Sequence, residues 1–414
     1  MNKVSFGNIS FRGLTLISKF IFVFFLGRYS IDETNLGVYG MLITAIAFLI
    51  YFLGFDFYVF NMREIIQIKN NFIPKIRDQL YFHLSLYLLL MPLSLAIIFG
   101  FNFIEIKYLV LFIILLISEH LGQELFRLLT TLEKSLVGNF FFFVKSGLWI
   151  WYILFDFFFL NNEINIFRYI LIWSLFSWFS LLIGLIYIKR LLKIKNIKFY
   201  KPNISWILKG IKSSSIFFMS SLSFLVIQFS DRFMIDFYHG KNLVGVYTTY
   251  SQFINAIDVF TFSGIIMVTY PKMIKFFSDK NIYKNLKNNF FKNLLAITIV
   301  LVLGSYFLAP FVFEFLEKPS FINYISTYNI LLIGVFFLVM SNVFHYDLYA
   351  KKRDYLLLKI AITSMSCNII LNLILIPKYE IYGASIATLF SFIVIFMAKF
   401  FFSLQKISTE NDSI

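Results

Sequence analysis

Residues 37–60 read GVYGMLITAIAFLIYFLGFDFYVF, a stretch in which Asp56 is the one charged side chain. A helix of that length rises about 36 Å, enough to cross the roughly 30 Å hydrocarbon core of a bilayer. The run is continuously apolar instead of alternating, so it reads as a spanning helix and not as a barrel strand. Runs of the same kind occupy 9–27, 80–101, 107–126, 139–160 and 167–188 in the first half of the chain. In the second half they occupy 211–233, 243–270, 291–315, 325–349, 355–376 and 381–402. The composition agrees: of 414 residues 59% are hydrophobic, 21% aromatic and only 14% charged, where a soluble domain carries about 25% charged residues. So few polar residues cannot coat a water-facing surface. Soluble enzymes, disordered and fibrous proteins and disulfide-rich secreted domains are excluded. The expected fold class is an all-α polytopic membrane protein of twelve transmembrane helices.

The net charge is +15, from 37 Lys and Arg against 22 Asp and Glu. Such an excess in a soluble chain would point to nucleic acid. Here the bases fall in short stretches between the apolar runs, so membrane orientation accounts for them and no nucleic-acid partner is expected. Arg63, Lys69, Lys75 and Arg77 lie in 61–79, and Arg127 and Lys134 in 127–138. The stretch 189–212 carries Lys189, Arg190, Lys193, Lys195, Lys198, Lys201, Lys209 and Lys212 without an acid. Bases recur in 271–292 and 350–354, whereas the alternate connections hold few. The bias places both termini in the cytoplasm. Arg12 and Lys19 interrupt the first run, which argues against a cleavable signal. Cys367 is the single cysteine, so no intramolecular disulfide forms.

The basic stretch also divides the chain. The expected organisation is an N-terminal lobe over 1–188, a cytoplasmic linker over 189–210, a C-terminal lobe over 211–402 and a cytoplasmic tail over 403–414. An internal repeat supports the division. Gly27-Arg28-Tyr29 precedes Leu36-Gly37-Val38-Tyr39-Gly40, and Asp231-Arg232-Phe233 precedes Val244-Gly245-Val246-Tyr247, with Gly37 and Gly245 offset by 208. Two copies of six spans each must have parallel topology, related by an axis along the membrane normal.

Charges inside spans are costly, at least about 2.5–3.5 kcal/mol each near the bilayer centre. Arg12 and Lys19 stand seven residues apart in the first run, on one helix face. Lys145 and Lys359 lie near cytoplasmic ends, where a lysine can snorkel to the interface. Glu119, His120, Gln123, Glu124 and Arg127 form one dense polar patch with i,i+3 and i,i+4 spacings. Asp56, Asp231, Asp236, Asp258, His345 and Asp347 add further polar positions in or beside the spans. Each acid has two readings: a site that holds a proton or cation during transport, or the neutralising partner of a buried base. Asp56, Glu119, Glu124, Asp231 and Asp258 are the candidates for ion coupling, and Arg12, Lys19, Arg28 and Arg232 those for an anionic substrate.

No catalytic motif emerges: there is no His-Glu-x-x-His, no cysteine pair, no phosphate-binding glycine loop and no nucleophile elbow. The four histidines, His83, His120, His239 and His345, show no metal-ligand spacing, so neither a metal nor a cofactor is expected. Outer loops are short, which leaves little protein outside the bilayer to build an enzyme.

Three segments carry a family resemblance. Asp231-Arg232-Phe233-Met234-Ile235 through Gly240 to Val244-Gly245-Val246-Tyr247 resembles the seventh-to-eighth span motif of polysaccharide-repeat flippases. Asn368, then Asn372-Leu373-Ile374-Leu375-Ile376-Pro377, Tyr379 and Gly383-Ala384-Ser385-Ile386-Ala387-Thr388 resembles their penultimate turn and last span. Leu26-Gly27-Arg28 with Leu36-Gly37-Val38-Tyr39 matches the N-terminal pattern. The chain thus resembles the Wzx-like O-antigen and capsule flippases of the multidrug/oligosaccharidyl-lipid/polysaccharide (MOP) exporter superfamily, which have a MATE-like fold. The resemblance implies two six-helix lobes around a central cavity that opens alternately to each side of a bacterial inner membrane. It implies an undecaprenyl-diphosphate-linked oligosaccharide as substrate, basic cavity residues for the diphosphate, and H+ or Na+ as coupling ion. A polymerase and a chain-length regulator of the same pathway are the implied protein partners. Arg28, Asp231 and Arg232 match motif positions. Two alternatives stay open: a cation-coupled multidrug antiporter of the same superfamily, and a membrane polysaccharide polymerase or ligase.

Overall fold

A computed structural model describes residues 3–68, 72–193 and 201–405. Lys69, Lys195, Lys198 and positions 406–414 of the expected tail lie outside the described residues. The described residues form helices and no strand. In chain order these are α1 (Lys3–Tyr29), α2 (Thr34–Gly54), α3 (Phe57–Ile68), α4 (Ile73–Gly100), α5 (Leu109–Thr131), α6 (Ser135–Phe143), α7 (Trp149–Leu160) and α8 (Ile166–Leu191). They continue as α9 (Ile204–His239), α10 (Lys241–Thr261), α11 (Met267–Lys275), α12 (Lys280–Glu314), α13 (Pro319–Asn323), α14 (Ile325–Ala350) and α15 (Asp354–Leu404).

Among the described residues, eleven helical segments are long and apolar enough to cross a membrane. The count meets the expected twelve at α15. Its 51 residues would extend about 75 Å if straight, more than twice the hydrocarbon thickness. The backbone breaks at Glu380 (φ 53°, ψ −134°), three residues after Pro377, and the last two apolar runs are its two arms. Gly383 sits at the reversal: a Cβ there would run into the carbonyl of Leu375. Two other spans are helices joined through a π-helical turn, α6 to α7 through Val144–Leu148 and α10 to α11 through Phe262–Ile266. The helices outrun their apolar cores at several ends. α9 begins at Ile204 and so enters the stretch read as linker.

The chain divides into two compact units. One comprises the residues up to Ser30 with Met41–Phe218, the other Ile31–Gly40 with the residues from Met219 onward. In the first, α5, α6 and α8 enclose a core of Leu125, Leu129, Phe141, Leu181 and Ile188. Trp149 stacks on Trp173 at 5.1 Å between ring centres, and Phe22 meets Trp149 edge-on at 4.9 Å, joining α1, α7 and α8. In the second unit Ile227, Leu338, Phe392 and Ile395 tie α9 to α14 and to the second arm of α15. Tyr250, Phe313 and Tyr328 interlock α10, α12 and α14, with ring centres 4.9–5.8 Å apart.

The repeat has a physical counterpart inside the second unit, where the first turns of α2 cross α10. A Cβ on Gly37 would run into the carbonyl of Lys241, and a Cβ on Gly245 into the carbonyl of Glu33. Gly40 faces the side chain of Thr248, and Thr34 hydrogen-bonds Asn242, 208 positions on. Thr34 with Asn242 and Gly40 with Thr248 are counterparts at the 208 offset, and the Gly37–Lys241 contact mirrors that of Gly245 with Glu33. Glycine is what lets the two backbones approach so closely.

Candidate functional site

α5 carries its two acids on different faces. Glu119 and Glu124 are five residues apart, about 140° around a helix, so the expected single polar patch is two sites. Glu119 points toward α8 and the π-helical turn after α6. Its carboxylate pairs with Lys145 Nζ at 2.8 Å and accepts hydrogen bonds from Trp173 Nε1 at 3.0 Å and Ser177 Oγ at 3.2 Å. Lys145 also donates to the main-chain carbonyl of Glu119 at 3.2 Å. This corrects the expectation that Lys145 snorkels to the interface: it is 3% exposed. The π-helical turn directs it into the bundle, and Gly122 makes room, since a Cβ there would lie 2.7 Å from Lys145 Cδ. Lys359 is exposed and lies over the Tyr355 ring.

The candidate bases of α1 lie in three settings. Lys19 is half-buried within electrostatic reach of both Glu119 and Lys145, and makes no hydrogen bond or ion pair among the described residues. Arg12, two turns earlier, is exposed; its Nε donates to Asn139 Oδ1 at 3.1 Å, and its guanidinium lies over Phe126. Arg28 is half-buried in the last turn.

Glu124 faces α4 and the end of α2. Arg127 pairs with it one turn on, stacks over Tyr58 at 3.7 Å and reaches Asp56 at 4.0 Å. Phe55 and Asp56 both have left-handed backbones, φ 50° and 47°, at the junction of α2 and α3. That conformation costs of order 1–3 kcal/mol per non-glycine residue, and the Arg127 contact helps to hold it. The amino group of Gln79 donates to Glu124 Oε2 at 2.6 Å and to His83 Nε2 at 3.0 Å. Spacing along the sequence does not reveal this cluster, because His83 and His120 lie on separate helices. The fold sets their ring centres 4.8 Å apart.

In the second unit the Asp-Arg-Phe and Gly-Val-Tyr motifs meet. Asp231 accepts a hydrogen bond from Tyr247 at 2.6 Å, and Arg232 Nε donates to Thr248 Oγ1 at 3.3 Å. Arg232 Nη1 donates to the Gln228 carbonyl at 2.6 Å and lies 3.3 Å from Asp231. With 1% exposure and these partners, Arg232 braces α9 against α10. Asp258 contrasts with it: half-buried in α10, its carboxylate has no hydrogen-bond or ion-pair partner among the described residues. Asp236 pairs with Lys241 at 3.1 Å, and Asp347 with Lys287 at 3.0 Å and Lys351 at 2.8 Å. Lys399 is a base that run-by-run reading passes over, because it stands near the end of the last run. It reaches Ser341 Oγ at 3.5 Å and lies within electrostatic reach of His345.

No family model matches the chain. An uncharacterized membrane protein of Methanocaldococcus jannaschii is 25% identical over 182 residues, covering 43% of this chain and 36% of that protein. The match therefore spans about a third of the relative's length. Solved structures resemble the chain over nearly its whole extent. An inward-facing multidrug-resistance MATE family transporter of the MOP superfamily gives a TM-score of 0.72 at 13% identity, covering 96% of this chain and 97% of the other. Lipid II flippase MurJ, in an inward closed conformation, gives 0.74 at 18% identity, over 96% and 86%. The fold is that of the MOP-superfamily transporters. The Vibrio cholerae MATE transporter VcmN has it too, with a TM-score of 0.60 at 16% identity over 97% and 96%. These three solved structures are of two transporters and a flippase, and the chain is a multi-pass membrane protein with the same fold.

Proposed function

We propose that this chain is a flippase that moves undecaprenyl-diphosphate-linked oligosaccharide repeat units across the bacterial inner membrane for O-antigen or capsule biosynthesis. The likeness in fold to lipid II flippase MurJ over 96% of the chain carries the reading. The three motif segments that resemble Wzx-like flippases support it. A diphosphate holds permanent negative charge and does not cross hydrocarbon unaided at a useful rate. Arg12, Lys19 and Arg28 on α1 supply cations for it, guanidinium forks for phosphate oxygens and a compact ammonium. In this reading both termini are cytoplasmic, the two repeats rock to alternate access, and the lipid tail stays in the bilayer while the sugars pass through water. Motion is coupled to H+ or Na+, and a polymerase and chain-length regulator take up the product.

The test is the sidedness of the lipid-linked glycan after depletion of the protein, read with a membrane-impermeant lectin or glycosidase. Repeat units are expected to accumulate facing the cytoplasm. Single units accumulating on the periplasmic face would mean that translocation is intact and that polymerisation is the missing step. One observation favours a second reading. The unpaired carboxylate of Asp258 is the kind of group that holds a cationic substrate or coupling ion in an antiporter. Drug tolerance on overexpression that disappears in Asp258→Asn, with glycan sidedness unchanged, would select that reading.

A further inference from the structure

We propose that α4 and α5 carry a binding site for a first-row transition-metal dication of the Zn2+ class, with His83 Nε2, His120 Nε2 and Glu124 as its ligands. One ligand atom from each of the three side chains lies within 4.8 Å of the others, and His83 Nε2 stands 3.8 Å from Glu124 Oε2. Tetrahedral ligands at about 2.0–2.1 Å from a zinc ion are roughly 3.3 Å apart, so small side-chain rotations close the cage. Two imidazoles and a carboxylate are a borderline donor set suited to Zn2+ or Co2+, and not the all-oxygen set that Na+, Mg2+ or Ca2+ takes.

Hydrogen bonds to neighbouring groups orient each ligand toward the site. His83 Nδ1 is 2.9 Å from the main-chain carbonyl of Leu53. Nδ1 must donate there, which leaves Nε2 of the neutral ring as the acceptor. His120 Nδ1 is 2.6 Å from Tyr87 OH, and with Nδ1–H donating to that oxygen the hydroxyl is the outer partner of an imidazole that ligates through Nε2. Glu124 Oε1 is held by Arg127, leaving Oε2 for the site. His120 is fully buried, and its Nε2 has no hydrogen-bond partner among the described residues. A buried polar atom without a partner costs about 1–3 kcal/mol, and a bound cation would satisfy it. Gly54 keeps the site open: a Cβ there would stand 3.4 Å from His120 Nε2 and 3.9 Å from Glu124 Oε1.

The charge balance is right for a cation. With neutral imidazoles, Asp56 and Glu124 outnumber Arg127, and the nearby Lys145 is already neutralised by Glu119. Gln79 supplies a switch. Its amino group now donates to His83 and Glu124, while its oxygen accepts from Asn61 Nδ2. A half-turn of both amides preserves the hydrogen bond between them and turns the Gln79 oxygen to the imidazoles as a fourth ligand. The site lies toward one end of α4 and α5. His83 lies ten residues into α4 and Glu124 seven from the end of α5, about 10–15 Å along the helices.

The experiment is a Co2+ titration of the purified full-length protein in detergent, followed by the visible absorption of four-coordinate Co2+ and by displacement with Zn2+. It needs no transport assay and stands apart from the flippase reading. One equivalent is expected to bind with d–d bands. Binding should be lost in His83→Gln and in His120→Gln, and weakened about 10- to 100-fold in Tyr87→Phe, the usual loss when an outer partner of a ligand is removed. The phenylalanine variant keeps the ring in place, so it reports on the site even where a histidine variant does not fold. Absence of Co2+ binding by the unaltered protein would overturn the proposal. So would binding that persists unchanged in monodisperse His83→Gln protein.

Discussion

Lys145 and Glu119 neutralise one another inside the first unit, ammonium to carboxylate at 2.8 Å, with 4% and 7% of their side-chain surfaces exposed. Breaking such a pair from one side leaves an uncompensated charge and costs about 3–5 kcal/mol, whereas replacing both partners by apolar residues is often near neutral. Lys145→Met and Glu119→Met are therefore each expected to lower the melting temperature sharply in detergent, and the double variant to recover most of the loss. Additive losses would show that the two side chains do not act as a pair.

The candidate bases separate by their settings. Arg12→Ala, Lys19→Ala and Arg28→Ala are expected to lower glycan translocation about 10- to 100-fold each, the loss of one charge-assisted contact of about 1.5–3 kcal/mol, with melting temperature unchanged. Arg232→Ala removes a fully buried brace of α9 and α10, and its expected effect is on stability, of order 3–5 kcal/mol. Normal transport by all three α1 variants would remove α1 from the substrate path.

The α2–α10 crossing tolerates no side chain at its glycines. Gly37→Val and Gly245→Val are expected to destabilise by similar amounts, at least the 1–3 kcal/mol of ordinary overpacking, because each meets backbone of the opposing helix. Gly304→Ala in α12, where nothing lies within 4 Å of the added methyl, should leave the melting temperature unchanged or slightly higher. Thermal unfolding of the three variants decides it.

At the connection before α14, Tyr324 donates to Glu380 Oε2 at 2.6 Å, across to the break in α15. That hydrogen bond pushes the phenol up to about 12 from its ordinary value near 10. A folded-state value above the unfolded one means stability that is fully present below about pH 10 and is lost as pH rises through about 12. The side chain is only partly buried, so the effect is small. Tyr324→Phe should melt slightly below the unaltered protein at pH 8, and the gap should narrow above pH 10 and close near pH 12.

Apolar length is a one-dimensional signal, and it was readable. The runs locate the spans, including the two arms of α15 on either side of the break at Glu380, and the offset of Gly37 from Gly245 locates the repeat. What spacing could not supply is which face meets which. Glu119 and Glu124 look like one patch along the chain, yet the helix turns them apart, and their partners Lys145 and Gln79 come from helices that no sequence interval relates. His83 and His120 are adjacent only because α4 and α5 run side by side. Lys145 reads as an interfacial lysine until the π-helical turn is seen, and that turn has no marker in the sequence.

The crossing of α2 and α10 has the character of a dimer contact enclosed in a single polypeptide. In a two-fold homodimer, a residue on the axis meets its own copy, so one substitution strikes both sides at once. Here position 37 abuts the counterpart of position 33, position 245 abuts Glu33 itself, and Thr34 meets Asn242. The covalent duplication frees the two copies to differ, as Thr34 against Asn242 and Gly40 against Thr248 already do. Each change must still fit a partner that occupies the same place in the other half. Along this crossing a change in α2 is constrained by α10, and a change in α10 by α2.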